Sequence, residues 1–344
     1  MTDKRISKVA RTGLINLGDT SYLNSVLQCL GNIEFLRDYF LKENYVRQIN
    51  EKAEKFPFSF VIGRLYAHLY PKEEKERENY NTINIFKILG LVNHSYKDHT
   101  RRNPTELIVN ILNILHDELN LKNDDIKNPN SDLLGKDFGL NEKISNYNNG
   151  NNSIISNVFD YYRLKENKCC QCKRPNYEIQ FFKTLDLNIL ECYKKEKKSI
   201  KLIDCLKFLS IPQKTKTHCQ NCKSLKEMEL ITKIYKSPNI FVFLLDRKDE
   251  DEELIQIPFT LEEKIDLKDY ISDSNSPKNY ELIGVVSLCL RNKKYVSFSK
   301  SSVDKEWYFY NDEIILKINS DFTLKSHNIF NFFVPNILFY KSIN

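Results

Sequence analysis

Gly13-Leu-Ile-Asn-Leu-Gly-Asp-Thr-Ser-Tyr-Leu-Asn-Ser-Val-Leu-Gln-Cys-Leu30 reads as a tight turn that hands one small polar side chain, Ser21, to the start of a helix. Asp19 and Thr20 are residue types that cap helix N-termini, and Leu23, Val26, Leu27 and Leu30 fall at the i, i+3, i+4, i+7 spacing of a buried helical face. Gly31-Asn32 supplies the stop. A nucleophile here would sit among unpaired N–H groups at the positive end of the helix dipole, where thiol pKa values fall and a developing oxyanion can be held. An ordinary capped core helix has the same pattern, so the stretch alone leaves both readings open.

Around it, the 344-residue chain is 41% hydrophobic, enough for a substantial core in one large domain or two smaller ones. Its formal charge of +6, from 52 basic and 46 acidic residues, comes without a long basic block, which argues against direct nucleic-acid binding. The short charged runs Pro71–Arg77 and Lys194–Lys198 read as solvated loops. There is no N-terminal apolar h-region and no stretch approaching about 20 apolar residues, so neither a signal peptide nor a membrane span is expected, and the chain is placed in the cytoplasm or nucleus. Nine cysteines, an odd number, argue for thiols or metal ligands over a disulfide framework.

Downstream, Phe35–Phe40 and Phe58–Tyr70 continue helical, with His68 expected as a partly buried helix residue. Asn103-Pro104-Thr105-Glu106 opens a further helix, Asn as N-cap, Pro in the first turn and Glu at N3 making a capping-box arrangement, with Leu107, Ile108, Ile111, Leu112 and Leu115 as its core stripe. Residues 120–153 are rich in Asn, Asp, Lys and Ser and read as a mobile surface loop between a helical part (11–119) and a strand-rich part (154–344) of a single domain. Cys169-x-x-Cys172 and Cys219-x-x-Cys222 form two thiol brackets suited to one tetrahedral Zn²⁺ in a closed structural site pinning two hairpin tips together, with Cys170 an adjacent competitor for the place of Cys169. The runs 239–245, 280–286, 294–298, 307–310 and 337–340 are β-branched and aromatic and imply an antiparallel sheet.

The opening stretch resembles, almost residue for residue, the cysteine box of the ubiquitin-specific proteases, Gly-Leu-x-Asn-x-Gly-Asn-Thr-Cys-Tyr-x-Asn-Ser-x-Leu-Gln-x-Leu, with Ser21 where the family has its nucleophilic Cys. The other landmarks follow in order over residues 11–341. Tyr177–Ile189 and Ile203–Leu209 resemble the fingers region. Asn292-Lys-Lys-Tyr-Val-Ser-Phe298 lies over the Gly-His-Tyr segment and puts Lys294 at the histidine, while Trp307-Tyr-Phe-Tyr-Asn-Asp312 puts Asn311 at the orienting acid or amide; Asn16 takes the oxyanion-donor place. Over the Gln-x-Asp-x-x-Glu element that holds the arginine-bearing tail of ubiquitin lie Arg101, Asn103 and Glu106, so only the Glu is kept. The resemblance implies an α+β, papain-like cysteine-protease fold with a helical thumb, an antiparallel β palm and zinc-bearing β fingers.

Two of the three reacting positions are therefore changed. A Ser hydroxyl needs an adjacent base, and a lysine supplies one only when burial strips its proton. The first expectation is an inactive family member that binds ubiquitin or scaffolds a multiprotein complex. The alternatives are an active deubiquitinase using Ser21 with Lys294, and a ubiquitin-independent scaffold in an RNA-processing or chromatin assembly.

Overall fold

Six consecutive apolar residues, Ile240 to Leu245, decide the layering, because a strand that is apolar at every position must be covered on both faces. The computed structural model describes residues 10, 12–49, 57–71, 78–121, 138–196, 199–247, 256–318 and 332–343. Its first half is helical: α1 (Ser21–Gly31), α2 (Glu34–Leu41), α3 (Tyr45–Gln48), α4 (Phe58–Leu69), α5 (Ile83–Val92), α6 (Pro104–Leu119), α7 (Phe138–Gly150) and α8 (Ile154–Phe159). The second half runs β1 (Tyr161–Cys169), β2 (Pro175–Phe182), β3 (Leu185–Asn188), α9 (Ile189–Glu196), β4 (Ile200–Lys201), α10 (Leu202–Leu209), β5 (Gln213–Cys219), β6 (Ser224–Lys236) and β7 (Ile240–Asp246). It ends with β8 (Phe259–Thr260), β9 (Lys264–Asp266), β10 (Asn279–Cys289), β11 (Tyr295–Lys300), β12 (Trp307–Asn311), β13 (Ile314–Ile318) and β14 (Phe333–Ile343).

The large sheet has the order β13-β12-β11-β10-β14-β7-β3, with β9 added beside β10; it is antiparallel except that β3 runs parallel to β7. Strand alternation sorts β7 between two cores. Ile240, Val242 and Leu244 join the core under the helical layer, and Phe241, Phe243 and Leu245 join the core covered by α9 and α10. This sheet is the palm. The helical layer is the thumb, and a separate four-stranded sheet, β2-β1-β6-β5, forms the fingers.

Helix α1 is the joint between thumb and palm. It packs against α6 on one side and β10, β11 and β12 on the other, and all eleven of its residues are buried. Of the two candidate caps it is Thr20 that stands at the N-cap, but the Thr20 side chain makes no cap bond; its Oγ1 turns back to accept the Leu17 N–H at 2.9 Å. At α6 the Asn103 cap is in place, accepting from the Thr105 N–H at 3.0 Å.

The loop expected over 120–153 is half corrected. Residues 122–137 lie outside the described residues, but 138–150 form α7 and Ser153 caps α8. Asn and Ser are weak helix formers, and a tertiary contact decides instead. Tyr147 stacks on Phe181 with ring centroids 3.7 Å apart and donates its hydroxyl to Asp160 at 2.7 Å. His68 lies on α4 as expected, but is exposed, with its ring tilted against Tyr80 at a centroid distance of 4.6 Å. His327 and residues 72–77 of the first charged run lie outside the described residues. No helix is long and apolar enough to cross a membrane among the described residues.

Candidate active site and four-cysteine cluster

The polar residues of the opening stretch recur every fourth position, Asn16, Thr20, Asn24, Gln28 and Asn32, so those within α1 share one helix face. That face is turned onto the chain leading into the helix. Asn24 Nδ2 donates to the Leu14 and Ile15 carbonyls at 3.2 and 3.3 Å, Gln28 Nε2 to the Thr12 carbonyl at 2.9 Å, and Asn32 Nδ2 to the Tyr310 hydroxyl at 3.1 Å. Gly13 lies so close to the palm that a Cβ there would stand 2.6 Å from the Glu313 carbonyl oxygen. The glycine is required by that approach.

This arrangement brings Ser21, Asn16 and Lys294 together across the thumb–palm boundary. Ser21 is 2% exposed, and its Oγ accepts the Tyr295 backbone N–H at 3.1 Å. Among the described residues no histidine, carboxylate or amine is within hydrogen-bond reach of that oxygen. Lys294 Nζ points instead to Asp312 Oδ2 at 3.6 Å, with the lysine side chain 43% exposed and the aspartate 4%. Asp312 also accepts Asn16 Nδ2 at 2.7 Å and Asn24 Nδ2 at 2.9 Å. One of the two N–H groups of Asn16 is thus committed to a carboxylate, and its Oδ1 holds the loop by accepting the Gly18 and Thr20 N–H groups. Cys29 is no substitute nucleophile. It is wholly buried, and burial drives its thiol pKa far up.

Asp312, which the sequence reading passed over, is the carboxylate of the site. Asn311 ends β12 and pairs with Ile314, and among the described residues its side chain bonds neither Lys294 nor Ser21. The turn between β12 and β13 has two residues, and Asp312 is at φ 52°, a left-handed setting that Asp tolerates. The polar step Asn311-Asp312-Glu313 between two strand-like runs was the available signal.

A cleft of about 800 Å³ opens beside Tyr295, between the N-terminal end of α6 and the ends of the palm strands. Arg101, Arg102, Asn103, Lys293, Asp186 and Asp246 line it. Arg101 Nη1 donates to the Lys293 carbonyl at 2.6 Å, bridging thumb and palm, and Arg102 is paired with Asp98 at 2.8 Å. Lys293 is held at φ 57° where the motif it resembles has glycine. Glu106 lies exposed in the first turn of α6, and Asn103 is occupied by capping.

At the far end of the fingers, the sulfurs of Cys169, Cys172, Cys219 and Cys222 all lie within 4.8 Å of one another. Cys169 to Cys222 is 4.0 Å and Cys172 to Cys219 is 3.8 Å. A tetrahedral ion with sulfur ligands at about 2.3 Å requires sulfur separations of about 3.8 Å, so the four thiols fit one. Cys170 stays outside the cluster. The two brackets are built alike: each is followed by a lysine in the left-handed region, Lys173 at φ 60° and Lys223 at φ 51°. The Arg174 and Cys222 backbone N–H groups lower the Cys172 and Cys219 thiol pKa values, favouring the thiolates that a metal takes, while burial raises that of Cys222.

A family model described as ubiquitin carboxyl-terminal hydrolase matches residues 12–340. The probable ubiquitin carboxyl-terminal hydrolase 16 of Schizosaccharomyces pombe is 24% identical over 323 residues, covering 90% of this chain and 63% of the relative. Ubiquitin carboxyl-terminal hydrolase 2 of Bos taurus is 24% identical over 326 residues, covering 90% of this chain and 52% of the relative. The chain thus spans between half and two thirds of the length of these two relatives. A solved structure of a SAGA DUB module of Ubp8, Sgf11, Sus1 and Sgf73 bound to monoubiquitin superposes with a TM-score of 0.75 at 21% identity, covering 100% of this chain and 71% of that one. With the cysteine-box frame, the palm, the thumb and the four-cysteine fingers all in place, this chain belongs to the ubiquitin carboxyl-terminal hydrolase family.

Proposed function

We propose that the chain is a ubiquitin-binding member of this family that does not hydrolyse, and that its fingers hold a structural Zn²⁺ on Cys169, Cys172, Cys219 and Cys222. One observation carries the first part: the Ser21 hydroxyl, buried against the Tyr295 N–H, has no base beside it. A hydroxyl attacks a carbonyl only as a neighbouring group takes its proton. Lys294 is 43% exposed, and its nitrogen is directed to Asp312 instead of to the Ser21 hydroxyl. The ubiquitin-binding part is supported by the match over 12–340 and by likeness to a module solved with monoubiquitin and with ubiquitin aldehyde. Those neighbours are multiprotein assemblies, which supports a role within a complex.

The test pairs a titration with ubiquitin against incubation with a ubiquitin–fluorophore conjugate. Saturable binding with no fluorophore release is the expected result. Release that disappears in Ser21→Ala would show an active Ser–Lys hydrolase. No binding of ubiquitin into the millimolar range would leave a ubiquitin-independent scaffold.

A further inference from the structure

We propose that a second cleft, at the end of the palm away from Ser21, seats an extended peptide segment of a partner protein, with an arginine or lysine side chain of that segment held by the charge of Asp160 and Asp273. The site is separate from the ubiquitin-binding reading and does not rest on it. The cleft encloses about 730 Å³, inside the range of about 300–1,000 Å³ in which ligand sites fall. Strand β7 separates it from the cleft beside Ser21. Asn239, just before the strand, lines the one and Asp246, at the strand's end, lines the other, which at about 3.3 Å per residue puts them about 23 Å apart.

Thumb, fingers and palm meet at this second cleft, and each brings polar groups to it. The segment through α7 and α8 supplies Asn148, Asn152 and Asn157, and the loop 272–277 with the link from β6 to β7 supplies Asn275 and Asn239. That loop is fixed before any ligand arrives. The Ser272 and Asp273 N–H groups donate to the Ile234 and Tyr235 carbonyls at 2.9 and 2.8 Å, and the Asp273 carboxylate accepts the Asn275 N–H at 3.1 Å and the Ser276 hydroxyl at 2.6 Å. Asn148 and Asn239 each commit half of their amide inside the fold. Asn148 Oδ1 accepts the Tyr162 hydroxyl, and Asn239 Nδ2 donates to the Asn157 carbonyl at 3.0 Å. The halves that remain, an NH₂ from the helical side and an Oδ1 from the link, are the donor and acceptor that a peptide group answers, because each backbone unit offers one of each.

Charge selects the side chain. In a chain of formal charge +6, the charged groups lining this cleft are two carboxylates, Asp160 and Asp273, and one amine, Lys236, whose nitrogen lies 4.9 Å from the centre of the Tyr162 ring. Asp160 is 8% exposed. Its Oδ2 accepts the Tyr147 hydroxyl at 2.7 Å, while its Oδ1 accepts no hydrogen bond among the described residues, the Lys183 ammonium standing off at 3.7 Å. A buried carboxylate so incompletely answered is costly, and a cation brought alongside it in a low-dielectric cleft gains more than one at an exposed surface. The hydrogen bonds on Asp273 come from neutral groups, so its charge is also available to a basic side chain.

The experiment offers the full chain a peptide array in which one central arginine, flanked by small polar residues, is replaced in turn by lysine, citrulline, glutamate and leucine; fluorescently labelled arginine and citrulline peptides are then titrated in solution. Arginine should bind about tenfold tighter than citrulline, its neutral isostere, with lysine retained and glutamate rejected. Asp160→Asn and Asp273→Asn should each narrow that gap while leaving citrulline binding in place, whereas Asn148→Ala and Asn239→Ala should weaken both peptides alike. Equal affinity for the arginine and citrulline peptides would overturn the charge selection. A gap that survives in a folded Asp160→Asn, Asp273→Asn double variant would overturn the assignment to this cleft, and no binding of any peptide into the millimolar range would overturn the site as a whole.

Discussion

Replacing Asp312 tests whether one buried carboxylate locks the thumb to the palm. It accepts two amide N–H bonds, from Asn16 at 2.7 Å and Asn24 at 2.9 Å, and its side chain is 4% exposed. Hydrogen bonds to a charged partner contribute about 1.5–3 kcal/mol each. Asn24 keeps its longer bonds to the Leu14 and Ile15 carbonyls, and Lys294 can return to water, so the low end applies. Two bonds at about 1.5 kcal/mol, plus about 1 kcal/mol for holding alanine in the left-handed region, put Asp312→Ala at about 4 kcal/mol. Asp312→Asn keeps one acceptor and tolerates that backbone, so about half the loss is expected. Urea unfolding at constant m reads both values. The double variant with Asn24→Ala should lose about 1–3 kcal/mol less than the two single losses added together. Variants within about 0.5 kcal/mol of the parent, or strictly additive losses, would refute the lock.

Three further outcomes follow from the same structure. A strong chelator should release one zinc per chain and, because the local core holds little beyond Cys169, Cys219 and Met228, remove hydrogen-exchange protection from β1, β2, β5 and β6 while β10 stays protected; a metal-free chain with protected fingers would count against the site. Burial pushes the Asp160 carboxyl up to about 6, against an unfolded value of about 3.9, so its contribution is full below pH 4 and is lost as pH rises toward 6. The stability of the parent minus that of Asp160→Asn should accordingly fall by about 2–3 kcal/mol between pH 4 and pH 6, and a flat difference would show that Asp160 does not titrate in the fold. Gly13→Ala forces a Cβ onto the Glu313 backbone and should destabilise by about 1–3 kcal/mol, measured by the same urea titration; an unchanged midpoint would mean that the strand turn yields freely.

Local pattern made much of this molecule readable, and long-range geometry accounts for what was not. Helix α1, the Asn103 cap and the palm strands follow from spacings within a dozen residues, and the two thiol brackets announce themselves by composition. Asp312 was hidden because motif order favours Asn311, and only the turn after β12 shows which side chain reaches α1. The Arg101–Lys293 bridge joins positions 192 residues apart, with no signal in either neighbourhood. Helix α7 was hidden because its residues favour turns, and the stacking of Tyr147 on Phe181 that holds it is a fact about the fingers.

The survival of the opening motif around an altered pair has a physical reason. Asn24, Gln28 and Asn32 are bonded to the entering chain and the palm, and Asn16 to its own loop and Asp312, so each is needed for folding whatever the chemistry at position 21. At about 1 kcal/mol net for each hydrogen bond, losing this set would forfeit a large part of the few kcal/mol that separates folded from unfolded chains. Ser21 and Lys294 are drawn into the same scheme. Ser21 accepts the Tyr295 N–H that would otherwise be buried unpaired, and Lys294 answers the charge of Asp312. A frame built this way keeps its shape whatever stands at positions 21 and 294, because most of the bonds that define it come from Asn16, Asn24, Gln28 and Asn32.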